Sequence, residues 1–105
     1  MLNDLAQAIY NTAVTHGWWD KERSFGEIIA LCHSELSEAL EEYRNRKPFY
    51  YEKDGKPEGI ATEMADCIIR ILDWSCHEDI DMDEIIAKKM KYNQERDYRH
   101  GNKKI

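Results

Sequence analysis

The sequence predicts an all-α domain of four helices, and three features carry that prediction. Apolar residues recur at steps of three and four in four segments. Two capping boxes, Ser24 to Glu27 and Asp81 to Glu84, mark helix starts. No stretch alternates apolar and polar residues over enough length to build a significant strand.

The first helix is expected over residues 2 to 16, where Leu2, Leu5, Ala6, Ile9 and Ala13 share a face. Gly17 in "HGWWDKER" interrupts it. The second helix should open at Ser24, whose hydroxyl can accept the amide of Glu27, and run to about Arg46. Pro48 and the stretch "KPFYYEKDGKPEG" read as a loop, with Asp54-Gly55 as its turn. A third helix is expected from about Glu58 to Cys76. Asp81 should open a fourth that reaches about Tyr98. The tail "RHGNKKI" is basic and carries a breaker, Gly101.

The chain's 105 residues suit one domain spanning 1–105. A chain this short buries a modest fraction of its surface, so oligomerisation is a natural supplement. The net charge of −6 argues against nucleic-acid binding, which calls for a basic face. Three cysteines without CxxC spacing suggest neither a disulfide framework nor a zinc site. No apolar run reaches membrane-spanning length and no signal-peptide pattern is present, so the expected setting is reduced and cytoplasmic, with no membrane partner.

The chemistry lies in two short carboxylate motifs. On a wheel of the second helix, Phe25, Ile29, Cys32, Leu36, Ala39, Leu40 and Tyr43 cluster in one direction, with Ile28 and Leu31 to one side. Glu35 falls between Ile28 and Leu31, inside the apolar arc, and Glu38 flanks it. An unpaired buried carboxylate is costly or becomes protonated. The third helix repeats the pattern. Glu63 borders Cys67 and Trp74, and Asp66, Arg70 and Asp73 continue a polar stripe. Ile68, Ile69 and Leu72 leave that helix little polar surface. If the two helices pack together, Glu35, Glu38, Glu63 and Asp66 converge, and a cation must sit among them. Hard oxygen ligands select Mg²⁺, Mn²⁺ or Ca²⁺.

The fourth helix offers a complement. Lys89, Asn93, Arg96 and His100 follow steps of four, three and four, and share a face if the helix persists that far. A basic, amide-bearing stripe opposite an acidic metal site suits a polyphosphate substrate. Structural explanations compete. Glu35 and Glu63 can pair with Arg70 or Lys88, Lys89 and Arg96 can be an ordinary solvated face, and Trp18 and Trp19 can be core aromatics.

"ELSE" (Glu35 to Glu38), "EMAD" (Glu63 to Asp66) and "KMKYNQERDYRHGNKK", with "HGWWD" upstream, resemble the MazG-like branch of the all-α NTP pyrophosphatases. That superfamily also holds dimeric dUTPases and phosphoribosyl-ATP pyrophosphohydrolases. The resemblance covers nearly the whole chain, with Trp18 standing where Phe is common. It implies a four-helix domain that oligomerises into a helical bundle, as a homodimer or tetramer. It implies Mg²⁺-dependent hydrolysis of nucleoside triphosphates to monophosphate and pyrophosphate, with Mn²⁺ as an alternative ion, and a house-cleaning role is common in the family. By that analogy Glu35, Glu38, Glu63 and Asp66 ligate the metal. Lys89, Asn93 and Arg96 contact phosphates, with Lys103 and Lys104 as further candidates, and Glu38 orients or deprotonates the water. Trp18, Trp19 and His16 are the candidates for a nucleobase pocket.

Two other readings stand beside this one. A carboxylate-bridged di-iron bundle needs Glu-x-x-His twice, and no histidine here lies three residues after a glutamate. A non-catalytic helical module that senses nucleotides would not need the four acids and the basic stripe together.

Overall fold

The computed structural model describes residues 1–96. Four helices stand among them: α1 (Leu2–Thr15), α2 (Phe25–Arg44), α3 (Ile60–His77) and α4 (Met82–Glu95). A short hairpin, β1 (Tyr51–Lys53) and β2 (Lys56–Glu58), joins α2 to α3. The all-α expectation holds, and no helix among the described residues is long and apolar enough to cross a membrane.

The hairpin replaces the expected loop. Tyr51 pairs with Glu58 and Lys53 with Lys56 in an antiparallel register. Asp54 and Gly55 between them both have positive φ, 54° and 79°. That pair of angles forms the tight turn whose twist matches two antiparallel strands. The Tyr51 hydroxyl donates to Glu42 at 2.8 Å, tying the hairpin to the end of α2.

α2 begins where expected: the amide of Glu27 donates to the Ser24 hydroxyl at 3.1 Å. The Glu27 carboxylate pairs with Arg23. α3 begins at Gly59, where φ is +105° and an added Cβ would lie 2.5 Å from the Phe49 carbonyl oxygen. That same oxygen accepts the amide of Ala61, so the chain entering the hairpin closes over the first turn of α3. Only glycine fits both the angle and the contact.

α2 and α3 run antiparallel. Phe25 meets Trp74 at one end, with ring centroids 5.4 Å apart, and Glu35 meets Arg70 nearer the middle. α3 also packs along α1, where Trp19, just past that helix, stacks on His77. α4 packs against α1. Their N-termini cap each other. The amides of Leu2 and Asn3 donate to Asp83, and the Asn3 side chain accepts the amides of Met82 and Asp83. Asp81 accepts from Glu84, as the sequence predicts, and also from the Asn3 amide group.

The apolar core of one chain is small: Ala6, Ile28, Cys32, Ala39, Cys67 and Leu72. On α2 the buried stripe is Ile28, Cys32, Glu35 and Ala39. Phe25, Ile29, Leu36, Leu40 and Tyr43, central to the sequence-based apolar arc, stay exposed, Tyr43 at 68%. Met64, Ile68 and Ile71 on α3 are exposed too. Rotated in the same sense from the contact line of two antiparallel helices, these residues fall on one side of the α2–α3 pair. Of the three residues that leave α3 little polar surface, Leu72 is buried at 3% exposure while Ile68 and Ile69 stay exposed.

α4 ends sooner than the sequence suggests. Glu95 is its last residue, and Arg96 follows with an extended backbone at ψ 151°. Arg96 is therefore off the helical face that Lys89 and Asn93 share. His100, Lys103 and Lys104 lie outside the described residues.

Candidate metal centre and its cleft

Two helices deliver the acidic residues. Glu35 lies in the middle of α2, on the stripe turned toward α3. Glu63 is in the first turn of α3 and Asp66 one turn later. One carboxylate oxygen from each of Glu35, Glu63 and Asp66 lies within 4.8 Å of the other two. Two full charges at that spacing repel by about 3.5 kcal/mol at an effective dielectric of about 20. Glu38, one turn beyond Glu35, is exposed and adjoins Glu63 but stands outside this set of three.

The protein meets the repulsion in two ways. Arg70 donates through Nε to Glu35 at 3.0 Å, and a second guanidinium nitrogen lies 3.0 Å from the same oxygen. Protonation is the other. Burial, and then the neighbouring Glu38 and Glu35 carboxylates, push Glu63 up to about 8. Asp66 is also raised, by burial and by Glu35, with Arg70 and Lys56 opposing. Glu63 Oε2 is buried with no hydrogen-bond partner among the described residues.

Those features fit a hard divalent cation. The donors are all carboxylate oxygens, they come from two rigid helices, and one buried oxygen lacks a partner. The Glu35–Arg70 ion pair is also the structural alternative weighed from the sequence, and for Glu35 it is present. Lys88, the other partner considered, pairs with Glu84 instead.

Glu35 and Asp66, though not Glu63, line a cleft of about 660 Å³ between α1 and α3. That lies in the range of small-molecule sites. Ile9, Ala13 and His16 form its α1 wall, Asp66, Ile69, Arg70 and Asp73 its α3 wall, with Trp18 and Glu35 completing it. The Arg23 guanidinium lies 3.5 Å over the Trp18 ring, and that of Arg70 lies 5.2 Å from it.

Of the three nucleobase candidates, His16 and Trp18 line this cleft and Trp19 does not. Trp19 is committed to the fold. Its ring stacks on His77 at 3.7 Å and its Nε1 donates to Asp73 Oδ1 at 3.0 Å. The phosphate candidates on α4 are not brought to the acids in one chain. Lys89 and Asn93 are exposed, and Lys89 and Arg96 lie near the Tyr92 ring.

Sequence reasoning left two cleft residues without a functional role. Arg70 is the cation beside the acids, and its signal was its place four residues after Asp66. Asp73 was visible only as a continuation of the polar stripe. It is buried at 7% exposure, and burial raises its carboxyl above the usual range, opposed by the Trp19 hydrogen bond and by His77. Comparison with protein-family models, with curated proteins and with solved structures finds no match for this chain.

Proposed function

We propose that the chain binds Mg²⁺, or Mn²⁺ in its place, at Glu35, Glu63 and Asp66, and hydrolyses nucleoside triphosphates to monophosphate and pyrophosphate. The observation that carries this reading is the convergence of three carboxylates from two helices, with Glu63 Oε2 buried and unpartnered. The adjoining cleft is of a size for a nucleotide. The resemblance of "ELSE" and "EMAD" to the MazG-like motifs supplies the reaction type. Nucleotide-pool house-cleaning is the corresponding role.

When bound, the cation would supply Lewis-acid polarisation and neutralise charge among the acids. The chain's residues do the rest. Glu38, solvent-exposed beside Glu63, would take the proton of an attacking water. Arg70, which pairs with Glu35 in the cation-free protein, would be the guanidinium available to the phosphates if a cation took over that carboxylate. Trp18 and His16 border the nucleoside. Lys89 and Asn93 join the phosphates only if a second copy or a moved α4 brings them there.

The uncovered apolar side of α2 and α3 supports a homodimer, or a tetramer built from it. The Glu35–Arg70 ion pair favours one second reading: a nucleotide-sensing module that needs no cation and performs no chemistry. Calorimetric titration of Mg²⁺ and Mn²⁺ into wild type and Glu35→Gln, followed by a panel of triphosphates, separates the two. The proposed enzyme binds a cation in wild type and loses much of that affinity in the variant. A protein that binds triphosphates equally well with and without cation, and leaves them intact, is the module.

A further inference from the structure

The cleft has two chemically different ends on one helix face. Asp66 stands at the end shared with Glu35 and Glu63, and Asp73 at the other. Seven residues separate Asp66 from Asp73, which is two turns, so both point the same way about 10.5 Å apart along α3. A nucleotide whose phosphates meet the first end would extend its base toward the second. Ile69 and Trp18, with Ala13 across from them, make that passage largely apolar.

Asp73 is the anionic group at the base end, and it is held in one orientation. Its Oδ1 accepts the Trp19 indole N–H at 3.0 Å, and Trp19 is itself clamped by its stack on His77. Among the described residues Oδ2 receives no donor, and the side chain is 7% exposed on the cleft wall. A carboxylate fixed on a cleft wall, with one oxygen engaged and the other open to the cleft, offers that oxygen to a ligand's donor.

We infer that Asp73 is a specificity-determining residue: its free carboxylate oxygen accepts a hydrogen bond from the exocyclic amino group of cytosine or adenine. Uracil and thymine carry a carbonyl oxygen at the corresponding edge, and two acceptors face to face repel. This assignment rests on the proposed nucleotide-hydrolase reading and names the substrate class of that site.

CTP and UTP test it, since they differ at that group and at the adjacent N3, an acceptor in cytosine and a donor in uracil. We would measure kcat/KM for both with Mg²⁺, and Kd for their α,β-methylene analogues by tryptophan fluorescence. Wild type should favour CTP by roughly tenfold or more, the range of one hydrogen bond to a charged acceptor. Asp73→Asn keeps an oxygen for Trp19 and turns the other atom into a donor, so the preference should vanish or reverse. Trp19→Phe leaves the carboxylate but frees it. It should weaken both nucleotides without reversing their order. Equal wild-type constants for CTP and UTP overturn the assignment of Asp73 while leaving the hydrolase reading intact, and this comparison stands even if Asp73→Asn fails to fold. An Asp73→Asn enzyme with the wild-type ratio overturns it too. If neither CTP nor UTP is bound or cleaved, the assignment of Asp73 falls for cytosine; if ATP and the rest of the panel are also left unbound and intact, the hydrolase reading falls and takes the whole assignment with it.

Discussion

Replacing Glu63 by Gln should stabilise the cation-free protein at neutral pH. The carboxyl titrates near 4.5 in an unfolded chain, and burial beside Glu38 and Glu35 lifts it to about 8 in the folded one. Between those values the folded state holds a proton that the unfolded state has released, so stability falls as pH rises through that window. At pH 7 the span from 4.5 is 2.5 units. At about 1.36 kcal/mol per unit, that amounts to at most about 3 kcal/mol of destabilisation relative to acid conditions. Gln copies the protonated form and never ionises, so it removes this penalty. Since Glu63 is partly solvated, the expected gain at pH 7 is about 1–3 kcal/mol. In a domain of this size, that is about 4–8 °C per kcal/mol in Tm. At pH 4, where both states are protonated, the gain should shrink to near zero. Urea unfolding of both proteins with EDTA, at one protein concentration and at pH 4 and 7, measures it. A Glu63→Gln protein no more stable than wild type at pH 7, or equally shifted at both pH values, would refute crowding of the carboxylates as the reason.

The same proton sets the pH dependence of cation binding. Below about pH 8 a cation must displace the Glu63 proton, so calorimetric affinity should rise by up to about tenfold per pH unit and level off above 8; a flat profile from pH 6 to 8 would contradict this. Gly59→Ala should lose about 2–4 kcal/mol in urea unfolding, because φ is +105° and the new Cβ would meet the Phe49 carbonyl at 2.5 Å; a loss under about 0.5 kcal/mol would show that the loop yields easily. Leu40→Glu combined with Ile68→Glu should shift sedimentation to monomer while circular dichroism stays helical, since both side chains are about half exposed in one chain; an unchanged sedimentation coefficient would place the oligomer contact elsewhere. Asp83→Ala should speed amide exchange at Leu2 and Asn3, which lose their acceptor; unchanged protection there would mean the first turn of α1 is held by other contacts.

Local chemistry was legible in the sequence where one turn of chain suffices to decide it. Ser24 and Asp81 cap their helices as expected because a hydroxyl or carboxylate three residues before an amide reaches it within one turn. Glu35 was recognisable as misplaced for the same reason, since its wheel position depends on helical geometry alone. Which face of α2 packs inward was not legible. Leu36 and Leu40 outweigh Cys32 and Ala39 in apolar bulk, yet the smaller residues are the buried ones, and periodicity cannot say what partner an apolar face meets. The hairpin escaped because three-residue strands show too little alternation, although Asp54-Gly55 did mark the turn. The clasp between Asn3 and Asp83 joins residues 80 positions apart, so no local pattern foretells it. The basic stripe on α4 was a sound reading of spacing, but the helix stops at Glu95 and packs on α1, so spacing alone did not place it at the acids.

Product analysis tests the central claim most directly. Wild type and Glu35→Gln would each be incubated with a nucleoside triphosphate in saturating Mg²⁺ and, separately, in EDTA, with all phosphorus-containing products resolved. The proposed chemistry yields monophosphate and pyrophosphate in equal amounts from wild type with Mg²⁺, and nothing above background in the other three reactions. Diphosphate with orthophosphate as products, turnover that persists in EDTA, or full activity in Glu35→Gln would contradict it.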